Sequence, residues 1–288
     1  MKQIGLIGVG IMGKPMVRNL MKAGFSVNIY ARNKDRVQDV VEDGAVLCEN
    51  IAALCEASEA VITIVGFPPD VEEVYFGEGG ILENAREGTY LIDMTTTAPS
   101  LDQRICEEGS KRGLHVLDAP VTGGDVGAIN ATLSILVGGA KEDFEACMPI
   151  FQAVGNNINY MGASGAGQHA KMANQIVIAG TISGICEAFT YAEKQGLDLQ
   201  TLFDAISTGA AGSMQMNTNG LKLVKGDLSP GFKIMHFVKD MGIAAAEAQE
   251  AGLTLDVLNA TLANYKKTEA LGYAEDGTQA LIEYYKGQ

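Results

Sequence analysis

The first 162 residues alternate two hydrophobic periods. Short apolar, β-branched runs at residues 3–8, 26–30, 60–65, 90–93 and 115–118 have the length and composition of buried strands. Between them, residues 12–23, 34–42 and 100–112 carry apolar positions at helical spacing. Gly24 and Gly113 stand where the first and last of these helices would close. Strands alternating with helices in this way predict a mostly parallel, doubly wound sheet, and residues 133–137 and 158–160 read as further strands extending it.

The period changes after Gly162. Residues 165–195 contain no proline and repeat apolar positions at helical spacing, which predicts one long helix. The later segments 199–206, 232–251, 257–271 and 276–285 also read as helices, and no strand pattern interrupts them. The expected architecture is an α/β domain over 1–162 and an all-helical domain over 163–288, joined by the long helix. No internal repeat or low-complexity segment is present.

Composition agrees with two packed domains: 288 residues, 47% hydrophobic and 19% charged. The net charge of -14 repels phosphate backbones and anionic bilayers, so neither nucleic acid nor membrane is an expected partner. The N-terminal MKQIGLIGVG enters a strand at once, without the segments of a signal peptide, and the apolar run at 176–186 is too short to span a bilayer. Five cysteines form no CxxC pair and read as reduced, mostly buried thiols, which points to the cytoplasm. No His, Asp or Glu set has ligand spacing, so no metal is expected.

The first chemistry-bearing feature follows the first strand. Gly8-Val9-Gly10-Ile11-Met12-Gly13 is a GxGxxG turn opening a helix. Its glycines permit a tight turn, close approach of a pyrophosphate and close helix–strand packing, while free N–H groups at the helix start face phosphate oxygens. In a strand–helix–strand context this is the signature of a Rossmann dinucleotide site; the bland alternative is an ordinary tight turn. The second strand ends at Tyr30-Ala31-Arg32-Asn33-Lys34 without the Asp or Glu that holds an NAD ribose. Arg32 instead offers a planar cationic fork for a 2′-phosphate, with Asn33 and Lys34 beside it. NADP(H) is therefore the favoured cofactor, and NAD(H) use stays open. Otherwise Arg32 stacks on adenine or faces solvent.

The second feature begins the long helix. Lys171 and Asn174 are three apart and share a face, with Gln168 on the same stripe. A lysine entering an apolar helix either snorkels to solvent or is held in a cleft, where burial would bring its pKa towards the working pH of a general acid/base.

Four segments then make the chain resemble the β-hydroxyacid dehydrogenase family, which includes 3-hydroxyisobutyrate dehydrogenase, tartronate semialdehyde reductase and the glyoxylate/succinic semialdehyde reductases. They are GLIGVGIMGKPM at 5–16, DAPVTGG at 118–124, GAGQHAKMANQ at 165–175 and FVKD at 237–240. The resemblance implies a catalytic Lys171, with Asn174 beside it at the substrate. It implies a substrate turn in which Thr122 replaces the more usual Ser and Gly123 and Gly124 present N–H groups to a carboxylate. Lys239 matches a lysine that closes over substrate and cofactor, and a homo-oligomer (dimer or tetramer) is expected. Val65 and Thr95 end strands on the cofactor side, although Phe67 departs from the usual aliphatic residue before proline and Thr95 also reads as a helix cap.

The expected function is hydride transfer between NADP(H) and a short, anionic hydroxy acid or semialdehyde, such as tartronate or succinic semialdehyde, glyoxylate or 3-hydroxyisobutyrate. The alternatives are a non-catalytic NADP-binding module and a reductase of imines or of larger substrates. Retention of Lys171 and the chain length weigh against the latter. The resemblance places Gly209-Ala210-Ala211-Gly212-Ser213 at the substrate's distal end, where the segment looks more like that of tartronate semialdehyde reductase than the Trp-containing 3-hydroxyisobutyrate version. Its small residues leave room, and the chain has no Trp. His115, His169 and His236 have no carboxylate partner evident in the sequence and read as structural or peripheral; the exception to weigh is His236, which lies three residues before Lys239 and could line the cleft.

Overall fold

The computed structural model describes residues 1–288, which form two compact units, Met1–Lys171 and Met172–Gln288. The first contains one nine-stranded sheet. Its strands are β1 (Gln3–Ile7), β2 (Ser26–Tyr30), β3 (Val46–Leu47), β4 (Ala60–Thr63), β5 (Tyr90–Asp93), β6 (His115–Asp118), β7 (Val121–Thr122), β8 (Leu133–Gly139) and β9 (Gly155–Gly162). The order is β3-β2-β1-β4-β5-β6-β8-β7, with β9 paired to β8. The first six strands are parallel, and their register sets Tyr30, Ile7, Thr63, Asp93 and Asp118 side by side at the carboxyl edge. The strand order reverses at β1, the position where doubly wound sheets hold ligands.

Alternate residues of each strand feed opposite layers. Ile4, Leu6, Val27, Ile29 and Ile92 pack with Met16, Val17 and Leu20, whereas Ile7, Val61, Leu91 and Val116 pack with Leu54, Tyr75 and Ile105. The helix Gly13–Lys22 buries Gly13, Met16, Val17 and Leu20, one amphipathic stripe. Each fully buried aliphatic side chain in these layers contributes about 1.5–3 kcal/mol. Gly24 and Gly113 have the left-handed φ expected of helix-closing residues, +93° and +68°.

Several elements differ from the sequence expectation. β3 and β7 have two residues each, too few to carry a period. β8 runs antiparallel to β6 and β7; the link from β7, residues 123–132, is shorter than the dozen or so a parallel crossover needs. The helix expected over 34–42 starts as a 3-10 turn, Lys34–Val37, and becomes α-helical only over Gln38–Glu42. The helix expected over 257–271 ends at Thr268 and passes into a wide turn, where Gly272 has φ +103°. Residues 276–277 are not helical, and Gly277 makes a lone β-bridge to Lys233.

The long helix is Ala166–Lys194, and it runs from the first unit into the second. In the second unit it is joined by Leu199–Ile206, Ile234–Glu250, Asp256–Thr268 and Leu281–Lys286 around a core that includes Ile182, Cys186, Phe189, Phe237, Met241 and Tyr265. By length and mean hydropathy (1.2) this helix matches a membrane span. Of its residues, Ala179, Ile182, Cys186 and Phe189 are fully buried in the second unit, whereas Val177 and Tyr191 are exposed.

Candidate active site

The glycine-rich turn separates its three glycines by what each would meet as alanine. A Cβ on Gly8, where φ is +101°, would lie 2.1 Å from the Ile64 carbonyl oxygen, and one on Gly13 would lie 2.1 Å from that of Gly8. Both glycines are thus required by the fold. Gly10 is different: no protein atom lies within 4 Å of its Cβ position. Nothing in the protein excludes a side chain there, which leaves the close approach of a ligand as the physical reason for glycine. The helix that follows has Met12 as N-cap with no side-chain cap and no acidic residue in its first turn, and Ile11 is 70% exposed. Open space at Gly10 and an uncapped helix start fit a pyrophosphate.

At the end of β2, Arg32 is exposed, with Nη2 3.1 Å from Asp70 Oδ1 and Nη1 3.7 Å from Glu73 Oε2. Asn33 caps the turn behind it, accepting the N–H of Asp35 at 3.1 Å. Val65 follows the end of β4, and its N–H donates to the Thr95 hydroxyl at 3.0 Å. Thr95 itself is buried, and its hydroxyl holds the Val65 peptide.

The segment 118–124 does three jobs. The carboxylate of Asp118 accepts the N–H groups of Gly165 (2.7 Å) and Gln168 (3.0 Å), anchoring the start of the long helix. The contact is close enough that a Cβ on Gly167 would lie 2.7 Å from Asp118 Oδ2 and 2.3 Å from the Leu136 carbonyl. Burial pushes the Asp118 carboxyl above its ordinary range, while these N–H groups pull it back. One turn further along the helix, Lys171 is only 6% exposed, and its Nζ donates to the Val121 carbonyl at 2.9 Å. Of the two sequence readings, the ammonium is held inside. Thr122, Gly123 and Gly124 follow directly, with φ +128° and +65° at the two glycines and no protein atom within 4 Å of a Gly124 Cβ. Lys171 and the turn at Thr122–Gly124 are therefore neighbours within the first unit.

The second unit organises its own candidates. Asn174 Nδ2 donates to Gln175 Oε1 at 2.8 Å, and Gln175 Nε2 donates to Asp240 Oδ2 at 2.7 Å. Asp240 Oδ1 lies 2.9 Å from the Lys239 ammonium. Gln175 and Asp240 are buried, so two residues absent from the expected set connect Asn174 to Lys239. Gln175 continues the buried polar stripe of Gln168 and Lys171 at helical spacing, and that stripe was its sequence signal.

One histidine contact is not evident in the sequence. His115 does have a carboxylate partner, Asp143 Oδ1 at 2.7 Å from Nδ1, and its ring stacks on Tyr90 with centroids 4.4 Å apart. His236 stacks on Phe232, and burial with the nearby Lys239 lowers its pKa.

The chain matches known proteins over nearly its whole length. The sequence profile of the NAD binding domain of 6-phosphogluconate dehydrogenase matches residues 3–162, and that of the NAD-binding region of NADP-dependent 3-hydroxyisobutyrate dehydrogenase matches 165–285. It is 46% identical to the uncharacterized oxidoreductase YkwC of Bacillus subtilis, with 99% of each chain covered. It is 37% identical to the 2-hydroxy-3-oxopropionate reductase of Escherichia coli, over 88% of this chain and 86% of that one. The solved 3-hydroxyisobutyrate dehydrogenase of Mycobacterium tuberculosis superposes with a TM-score of 0.90 at 30% identity, covering 99% of both chains. The chain is a nicotinamide-binding oxidoreductase of the β-hydroxyacid dehydrogenase family.

Proposed function

We propose that the protein interconverts a short hydroxy acid and the corresponding semialdehyde or keto acid, using NADP(H), with Lys171 as the general acid/base. The observation that carries this reading is a buried lysine whose Nζ is held 2.9 Å from the Val121 carbonyl, one residue before Thr122. An ammonium has three donors, and anchoring one on Val121 directs the others. In reduction Lys171 gives its proton to the substrate carbonyl oxygen; in oxidation it takes the hydroxyl proton. The bound nicotinamide supplies or accepts the hydride. Thr122 and the N–H groups of Gly123 and Gly124 would bind the substrate carboxylate. Asn174, one turn beyond Lys171 on the same helix, is assigned to the substrate with it. Lys239, held by Asp240, is the cationic candidate of the second unit.

The test is NADPH oxidation with glyoxylate and with succinic, methylmalonic and tartronic semialdehydes. Turnover of at least one is expected. Tight NADPH binding with turnover of none would favour a binding module instead.

The NADP(H) preference rests on Arg32, the absence of an acidic residue at the end of β2 and the NADP-dependent relatives matched over 165–285. Asp70 and Glu73 face the same place, so without Arg32 they would repel a 2′-phosphate. Arg32→Asp is expected to lower kcat/KM for NADPH relative to NADH by roughly 10–100-fold, the equivalent of one or two charged hydrogen bonds. An unchanged NADPH/NADH ratio would remove Arg32 from the account.

A further inference from the structure

Two buried acids lie behind the strand ends and take no part in the chemistry above. Asp93 closes β5, and Asp102 lies in the helix Pro99–Ser110; they are 1% and 2% exposed. Asp93 Oδ1 accepts the Thr63 hydroxyl at 2.7 Å and the Thr95 N–H at 3.0 Å. Its other oxygen, Oδ2, is buried and receives no N–H or hydroxyl donor. Besides Thr63, two side chains are in hydrogen-bonding contact with this carboxyl group: the hydroxyl of Thr95 and the carboxyl group of Asp102. Ionised carboxylates are acceptors only, so such a contact closes only if one of the two acids carries a proton. Asp102 Oδ2 already accepts Gln168 Nε2 at 2.8 Å, which leaves its Oδ1 to carry that proton.

The pair is gripped from both sides. Thr95, which bonds to Asp93, holds the Val65 peptide. Gln168 donates to the Thr95 carbonyl at 2.7 Å, accepts the Thr97 N–H at 3.2 Å and donates its own N–H to Asp118. Lys171 follows Gln168 by one turn. We propose that Asp93 and Asp102 share a single proton, and that the resulting singly charged pair positions Thr95 on one side and Gln168, hence the helical turn bearing Lys171, on the other.

Loss of that proton would leave two anions in a dry pocket and part the contact. The titratable groups facing the pair are Asp118 from β6 and Tyr75 from the helix Pro68–Phe76, with Cys55 from Ile51–Glu56 behind Tyr75. Burial raises Asp93 to about 6 and Asp102 well above the ordinary carboxylate range. Folded-state values raised in this way give stability that is present in acid and lost as pH rises, here from the ordinary carboxylate range through about 6 and beyond.

Asp102→Asn tests the idea without removing the contacts, since its amide can donate to Asp93 and its oxygen can still accept from Gln168. In infrared spectra at pH 7, the wild-type protein is expected to carry a protonated-carboxyl C=O band that Asp102→Asn lacks. Between pH 6 and 9 the wild-type Tm should fall more than that of Asp102→Asn, by about 3 °C or more. Amide exchange at Thr95 and Thr97 should speed up in Asp102→Ala at pH 7 and remain slow in Asp102→Asn. No protonated-carboxyl band in the wild type, equal pH slopes of Tm, or unchanged exchange in Asp102→Ala would each overturn the proposal. Should Asp102→Asn fail to fold, the wild-type infrared band still decides. None of these readouts depends on which substrate is turned over.

Discussion

Lys171→Ala is expected to lower kcat by about 10²–10⁴-fold, the usual contribution of a positioned general acid/base, with NADPH affinity nearly unchanged. The split follows from position. The features proposed to hold the cofactor are Gly8–Gly13 and Arg32, whereas Lys171 bonds to Val121 beside the turn proposed to hold the substrate. Removing the side chain also strips the Val121 carbonyl of its donor, which costs about 1–3 kcal/mol of stability. Lys171→Met controls for this, because it refills the space without a proton to transfer. Both variants should bind NADPH in a fluorescence titration and fail in steady-state turnover. A fully active Lys171→Ala protein would sink the mechanism.

Asp118→Ala should be the most damaging substitution outside the reacting groups. It leaves the N–H groups of Gly165 and Gln168 buried and unpaired at the start of the long helix. At about 1–3 kcal/mol for each unsatisfied donor, the expected loss is on the order of 3–5 kcal/mol, or a fall in Tm of roughly 10 °C. Catalysis should suffer more than the stability loss implies. The freed turn leads directly to Lys171, and a misplacement of about 1 Å can reduce turnover on the order of 10²-fold. Calorimetry and kcat measured below the new Tm separate the two effects. A Tm and kcat like those of the wild type would show that Asp118 anchors nothing.

These two residues were unequally legible. Lys171 stood out as a cation at the mouth of an apolar helix, three residues from Asn174. Asp118 sat inside a recognised motif but carried no sign of its task, because its partners are 47 and 50 residues away. Separation along the chain likewise hid Gln168 as the bridge between Asp102 and Thr95, and Asp143 as the partner of His115. Arg32 was visible as a cation at a cofactor position, but its pairing with Asp70 and Glu73 was not, since they lie on a later helix.

The primary sequence by itself determined the longer strands of the sheet, their alternation with helices, the glycine turn, the long helix and the stripe on which Gln168, Lys171 and Asn174 lie. Those features follow from backbone sterics and from periods of two and 3.6 residues, which act over a few neighbouring positions. Only the tertiary structure decided which polar groups meet. Parallel register brings the ends of β1, β2, β4, β5 and β6 level, and that alone sets Thr63, Asp93 and Asp118 side by side. Buried polar groups must then find partners among whatever the register has made adjacent. The same necessity places Asp118 under the helix start, Val121 against Lys171 and Asp93 against Asp102.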